Sequence, residues 1–230
     1  MFKSFHIYPN LICGISEKAD GNLKLGAAKQ DFERFILKRN LNSFKVFRAE
    51  LVHGDRVVAI DNLSPEEIIL NCDGLVTKEK NILLTATFAD CFPVYFYDPV
   101  SGIAGLAHCG WRGIISGLAN KMILAMGSLG SQPEDIVIGI GPGIQRHHFE
   151  IKDDIVSWFK NYPEQVLKKD GKMFVDLSAI VKAQLISSGI IPTNIETSKD
   201  CTYCDKDKYF SFRRDKPNVS EAMLGYIGLK

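Results

Sequence analysis

The 230-residue sequence has no excess of charge of either sign: 28 lysines and arginines stand against 27 aspartates and glutamates, a formal net charge of +1. Without a basic face or stripe, nothing recommends nucleic acid as a partner. The charges are also mixed along the chain, so no acidic or basic tail hides behind the average. Long apolar runs are missing too. The most apolar stretches are strand-length and broken by Gly, Pro or Asp, far short of the roughly 20 residues of a membrane helix. The opening MFKSFHIYPNLICG lacks the apolar core and small-residue cleavage site of a secretory leader. Cysteine is sparse: Cys13, Cys72, Cys91, Cys109, Cys201 and Cys204 are too few for a disulfide scaffold and are expected as reduced thiols in a cytoplasmic protein. No Gly/Ser-rich or Pro-rich linker, repeat or low-complexity tract interrupts the chain. One domain over 1–230 is therefore expected, and 46% hydrophobic against 24% charged residues suits a packed core.

Local patterning predicts strands interspersed with helices. Short β-like runs open at 2–8 and 11–16, and a helix follows over about 28–39, where Phe32, Phe35, Ile36 and Arg39 recur at helical spacing. Strands are predicted at 44–52 and 57–60, either side of the Gly54-Asp55 turn signal. Ser64-Pro65-Glu66-Glu67 carries helix-start chemistry for at most one short turn. Buried strands are predicted at 81–88, 92–97, 103–108 and 136–140. Helices are expected over about 114–127, ended by Gly127, over 152–160, and over 176–188 from Asp176 to just before Gly189. The tail 201–215 reads as irregular. The fold class is α/β (α+β): a single-domain sandwich of mixed, largely antiparallel sheets with helices packed outside.

Asp98-Pro99-Val100-Ser101-Gly102 is a turn with a mechanism: Asp suits the first position, Pro pre-sets the next dihedral, and Gly tolerates the exit. A turn centred between Pro99 and Val100 pairs 92–97 with 103–108 and sets Cys91 opposite His108, with Cβ atoms ~5 Å apart on one face. A one-residue slip would send them to opposite faces. Thiolate and neutral imidazole together suit zinc in tetrahedral geometry. Of the remaining His6, His53, His147 and His148, His53 stands at a strand end before Gly54-Asp55, the same setting as the other two. Three protein ligands would leave a fourth position for water or substrate, as catalytic rather than structural zinc does. The competing reading is a small buried thiol and a satisfied polar histidine. The spacing 53…91…108 matches no local metal signature.

Several segments also resemble one family. Thr87-Phe88-Ala89-Asp90-Cys91-Phe92-Pro93-Val94 resembles its T-A-D-C-x-P-V, and Ala107-His108-Cys109-Gly110-Trp111-Arg112-Gly113 its H-A-G-W-R-G. Val52-His53-Gly54 is similar to Q-V-H-G, and Asp73-Gly74-Leu75-Val76-Thr77 to D-A-L-V-T. Gly141-Pro142-Gly143-Ile144 with Phe149-Glu150-Ile151, then Cys201-Thr202-Tyr203-Cys204 and Phe210-Ser211-Phe212-Arg213-Arg214-Asp215, follow in the family's order. This is the laccase-domain or "polyphenol oxidase" (YfiH-type) family, whose members are described as purine nucleoside phosphorylases. The resemblance implies Zn2+ on His53, Cys91 and His108 in a nucleoside-sized pocket. It implies phosphorolysis of adenosine, inosine, guanosine and S-methyl-5′-thioadenosine, with adenosine deaminase activity besides. The partners expected are purine nucleoside and phosphate, with no nucleic acid or membrane, in a monomer or small homo-oligomer. Copper is the less favoured metal, because five histidines cannot furnish several histidine-rich copper sites.

Arg112, at the start of a helix, is the candidate phosphate ligand. Asp73 completes the candidate catalytic set as ribose-orienting group or general base, against a plain turn-forming Asp. Asp90 reads as support behind the ligands or a buried acceptor, Trp111 as core or pocket wall. Gly141-Pro142-Gly143 reads as a ligand approach or a strand exit. Departures from the family pattern are Leu51 for Gln, Cys109 for Ala, Phe149 for Tyr, and His147-His148 where relatives often carry cysteines; these two read as polar loop residues. Cys201 and Cys204 read as packed thiols or an occasional disulfide, and Arg213 and Arg214 as a solvated or packed edge. Two other functions compete: a cell-wall (peptidoglycan precursor) editing amidase with Cys91 as nucleophile and His108 as base, and a non-catalytic metal-stabilised binding domain.

Overall fold

The computed structural model describes every residue except 1, 217 and 219. In chain order it contains β1 (Leu11–Ile15), α1 (Lys29–Lys38), β2 (Lys45–Ala49), β3 (Val57–Ala59), β4 (Ile68–Ile69), β5 (Gly74–Thr77), β6 (Ile82–Phe88), β7 (Phe92–Asp98), β8 (Ile103–Cys109), α2 (Trp111–Ile115), α3 (Leu118–Leu129), β9 (Val137–Ile140), β10 (Glu150–Ile151), α4 (Asp153–Val156), β11 (Val166–Lys169), β12 (Lys172–Val175), α5 (Leu177–Ser187), β13 (Ile195–Thr197), α6 (Phe212–Asp215) and β14 (Met223–Leu229). A six-stranded sheet, β13-β9-β7-β8-β5-β3, packs on a five-stranded one, β1-β14-β6-β2-β4; a three-stranded sheet, β10-β12-β11, stands apart. Most neighbours are antiparallel, with parallel pairs at β2–β4, β2–β6, β3–β5 and β9–β13.

Strand alternation sorts the core into layers. Along β7, Phe92, Val94 and Phe96 face α2, α3 and α5, while Tyr95 and Tyr97 face the second sheet. On β8, Ala107 and Cys109 go to the helices, and Ala104 and Leu106 to the sheet. The far side of the five-stranded sheet is covered by α1, whose Phe35 and Ile36 pack with Leu83, Leu224 and Tyr226. Helices thus flank two stacked sheets, the sandwich that the sequence predicts. Strands covered on both faces show continuous apolar runs rather than alternation of apolar with polar, which is why β6, β7 and β8 are legible.

The β7–β8 hairpin differs from expectation in one respect that bears on the site. His108 sits opposite Pro93, not Cys91, and Asp98 opposite Ile103. The loop is longer because Asp98 caps it: its carboxylate accepts N–H from Val100 at 2.8 Å and Ser101 at 3.0 Å. Gly102, at φ +65°, returns its N–H to the Asp98 carbonyl at 2.9 Å. The displacement is an even number of residues, so every side chain keeps its face. Cys91 and His108 remain on the inter-sheet side, diagonal to one another instead of directly opposed.

Other expectations need correcting. Residues 2–8 form no strand: Lys3 and Ser4 donate their N–H groups to the Glu196 carboxylate at 3.1 and 3.0 Å, and Phe2 plugs the sheet end against Tyr95. The helix at 114–127 is two helices, parted at Gly117 (φ +80°) and ended at Gly130 (φ +118°), both positions that suit only glycine. That at 152–160 is one α-turn followed by a 3-10 turn. No helix follows Ser64, whose hydroxyl instead bonds Asp61, and β4 pairs with β2. By contrast α5 starts where expected, Asp176 accepting the Ala179 N–H at 2.9 Å.

Candidate metal centre

Three donors meet at the end of the inter-sheet layer. His53 lies in the loop between β2 and β3, Cys91 just before β7, and His108 near the end of β8. One donor atom from each lies within 4.8 Å of the others. Among the described residues no further His, Cys, Asp or Glu joins this group. His108 is buried, Cys91 partly so, and His53 is exposed, so the cluster opens to solvent along the His53 side. The imidazoles of His53 and His108 meet edge to face at 4.9 Å, and Phe88 covers the other side of His108 at 5.5 Å.

Asp73 organises the cluster. It sits beside β8, its carbonyl accepting the His108 N–H at 2.7 Å. Its carboxylate accepts Nδ1–H of His108 at 2.9 Å and the backbone N–H groups of Val52, His53 and Gly54 at 3.2, 3.0 and 2.7 Å. Four donors fill the acceptor capacity of one carboxylate. The carboxylate thus braces the loop that carries His53, beyond the local turn that its place before Gly74 suggested. Burial pushes the Asp73 carboxyl up, but His108 and the Gly54 and Val52 N–H groups outweigh it and hold it below the usual carboxylate range. Donating Nδ1–H to Asp73 leaves Nε2 of His108 as its free donor atom, the arrangement typical of a metal-bound histidine.

Backbone strain concentrates here. His53 has φ +58° and Asp90, next to Cys91, φ +86°. Left-handed conformations of non-glycine residues persist only where surroundings over-determine them. Asp73 supplies that at His53. At Asp90 the carboxylate accepts Thr202 Oγ1–H and the Arg213 N–H, both at 2.7 Å, and its carbonyl accepts the Ile144 N–H at 2.8 Å. Asp90 is thus a buried acceptor that fastens the tail to the segment presenting Cys91.

The thiol and the imidazole polarise each other. Burial pushes the Cys91 thiol up, yet His108 and His53 beside it bring it down to about 6. Burial pushes His108 down, and Cys91 with Asp73 raise it to about 9. Space for an ion is kept by Gly110: a Cβ there would stand 3.0 Å from Cys91 Sγ and 3.2 Å from His53 Cδ2. Two imidazoles and a readily ionised thiol suit a borderline-soft divalent ion.

The remaining candidates separate. Arg112 is exposed, its guanidinium 4.4 Å from the Trp111 ring, and it forms no ion pair among the described residues. Trp111 packs on Trp158 and Phe159 as part of the helical core. Cys109 faces that core too, and burial raises its thiol strongly. Gly141 and Gly143 let the chain lie flat on Pro93 and Phe92, where a Cβ would approach to 2.6 Å. Arg213 and Arg214 are staples: Arg213 donates to the His148 and Glu150 carbonyls, and Arg214 to those of Thr202, Tyr203 and Tyr209. Cys201 is buried, but Cys204 is exposed, against the expectation of two packed thiols. A cavity of about 450 Å³ lies elsewhere, between Gly14, Tyr95, Glu196 and Tyr209, and none of the three donors lines it.

The family model described as multi-copper polyphenol oxidoreductase laccase matches residues 14–230. The chain belongs to this family. Among laccase-family relatives it is 32% identical over 209 residues to "Purine nucleoside phosphorylase LACC1" of Mus musculus, covering 88% of this chain and 47% of that protein. It is 37% identical over 163 residues to "Purine nucleoside phosphorylase YlmD" of Geobacillus stearothermophilus, covering 68% and 59%. It is 30% identical over 201 residues to "Adenosine deaminase RL5" from an unknown prokaryotic organism, covering 85% and 75%. The match thus spans about half the length of the first two relatives, 47% and 59%. The crystal structure of the Geobacillus YlmD superposes with a TM-score of 0.89 at 27% identity, over 100% of this chain and 94% of that one. No helix among the described residues is long and apolar enough to cross a membrane.

Proposed function

We propose that this protein is a zinc-dependent purine nucleoside phosphorylase that also deaminates adenosine. Its proposed substrates are adenosine, inosine, guanosine and S-methyl-5′-thioadenosine. The observation that carries the reading is the convergence of His53, Cys91 and His108 within 4.8 Å on a face open to solvent. Relatives that bear phosphorylase and deaminase names support it. Zinc, when bound, supplies a Lewis acid and a water acidified toward neutral pH. His53, Cys91 and His108 are its proposed ligands, and Asp73 positions two of them through the His53 N–H and His108 Nδ1–H. Arg112 offers an exposed guanidinium with no ion pair among the described residues, on the helix that follows His108, suited to bidentate binding of phosphate. In phosphorolysis that phosphate attacks the anomeric carbon and the purine leaves; in deamination water replaces the amine of the purine ring. Purified zinc-loaded protein given adenosine and phosphate is expected to release adenine and, separately, inosine, followed by chromatography. Absence of turnover with adenosine, inosine and methylthioadenosine overturns the proposal.

One observation favours a second reading. Donor atoms of Cys91 and His108 lie within 4.8 Å of each other, and the imidazole lowers the thiol while the thiol raises the imidazole, the pairing of a cysteine nucleophile. As a cell-wall precursor amidase, Cys91 would attack an amide carbonyl and His108 would protonate the leaving amine. Activity that survives chelation but ends on alkylation of Cys91, with the adduct seen by mass spectrometry, would select this reading.

A further inference from the structure

Outside that centre a second group of soft donors lies together. Donor atoms of His147, His148 and Cys204 fall within 4.8 Å of one another. We propose that these three side chains form a second zinc site, a clip joining the loop at 144–149 to the loop at 201–205.

The two loops are held in register by backbone, so the side chains do not meet by chance rotamers. Gly143 and Cys201 form an isolated β-bridge, and Thr202 donates its N–H to the Gly143 carbonyl at 3.2 Å. Gln145 spans the gap, its N–H reaching Cys201 Sγ at 3.4 Å and its amide the Asp200 carbonyl at 3.1 Å. The histidine turn closes on Gln145, which accepts the His148 N–H at 2.9 Å, and Arg213 holds the His148 carbonyl at 3.3 Å. The His148 ring stacks on Tyr203 at 3.9 Å and 23°, which fixes its plane. His147 Nε2 already lies 3.2 Å from Cys204 Sγ. A tetrahedral zinc with bonds of ~2.3 Å to sulfur and ~2.0 Å to nitrogen needs ~3.6 Å between such atoms, so a small opening of one exposed rotamer admits the ion.

The two thiols of the C-x-x-C pair lie in hydrogen-bond contact, yet their surroundings differ. Cys201 is buried and accepts the Gln145 N–H, while Cys204 is exposed and also meets His147. Exposure of His147 and Cys204 leaves the remaining coordination position to water. The clip also closes over Asp90, whose carboxylate accepts Thr202 Oγ1–H and the Arg213 N–H from the same tail.

The test is metal content of the full chain after zinc loading and exhaustive dialysis under reducing conditions. Wild type is expected to retain about two zinc ions, and Cys204→Ser, His147→Ala and Cys91→Ser about one each. Cobalt-substituted protein should lose roughly half of its thiolate-to-metal charge-transfer absorbance in Cys204→Ser, because each site contributes one thiolate. Circular dichroism checks that the variants fold. A wild type holding about one ion that Cys204→Ser loses and Cys91→Ser keeps leaves the clip standing while removing the zinc centre of the proposed function. Equal zinc in wild type, His147→Ala and Cys204→Ser overturns the clip, as does a Cys201–Cys204 disulfide in the zinc-loaded protein.

Discussion

At the scale of residues the centre depends on a side chain outside the donor group itself. Asp73 accepts four hydrogen bonds from three loop N–H groups and one imidazole. Asp73→Asn puts an NH2 group against donors, so His53 and His108 lose their shared brace; zinc affinity is expected to fall roughly 10- to 100-fold, measured by competition with a chromophoric chelator. An unchanged affinity would show that the donors are placed without it. The ionic pair predicts how binding couples to protons. Between about 6, where Cys91 ionises, and about 9, where His108 loses its proton, the metal-free pair carries one proton, on His108. From this pair binding there should release about one proton, rising toward two below that window and toward none above it. Calorimetry in buffers of different ionisation enthalpy measures this, and release independent of pH from 5 to 10 would contradict it (approximate limits set by the ordinary ranges of Cys and His).

Elements are tied down by a few polar contacts as much as by their apolar faces. The C-terminal end of α1 is anchored by Asp20, whose carboxylate pairs with Lys38 at 2.6 Å and Arg39 at 3.2 Å and accepts the Glu17 N–H at 3.0 Å. Burial pushes the Asp20 carboxyl up, but the Glu17 N–H, Lys38 and Arg39 prevail and lower it from 3.8. A carboxyl lowered on folding contributes stability above its unfolded value and loses it as pH falls through the folded one. Asp20→Ala should therefore cost about 1–3 kcal/mol at neutral pH, read from urea unfolding. The gap from wild type should shrink as the pH drops below 3.8; a gap that stays constant would assign the loss to packing. β7 and β8 teach a related lesson about register. The Asp98 cap lengthens their loop, and the inter-sheet face survives because the displacement is even.

At the scale of the whole molecule, the two stacked sheets close only when the last strand arrives. β14 lies between β1 and β6 although nearly the whole chain separates it from β1. Truncation before Met223 should abolish cooperative unfolding, checked by circular dichroism during heating, because both neighbours would expose unpaired edges; a cooperative melt in the shortened chain would refute this. Nothing local marks β14 as central. A Cβ at its Gly225 or Gly228 would meet the Phe88 ring at 2.7 Å or the Ile82 carbonyl at 2.5 Å, neighbours distant in sequence. Sequence alone determined the buried strands around Cys91 and His108, the hairpin that brings their ends together, the Asp176 cap of α5 and the layered α/β class, while the register that faces the two side chains the same way was set by the Asp98-capped loop. Those follow from alternation, turn chemistry and apolar runs, all local. Tertiary structure decided that His53 meets them, that Asp73 braces the loop that carries His53, and that His147 and His148 reach Cys204. Each of these joins residues far apart in the chain, and strand order and backbone bridges, which local patterning does not encode, set their separation.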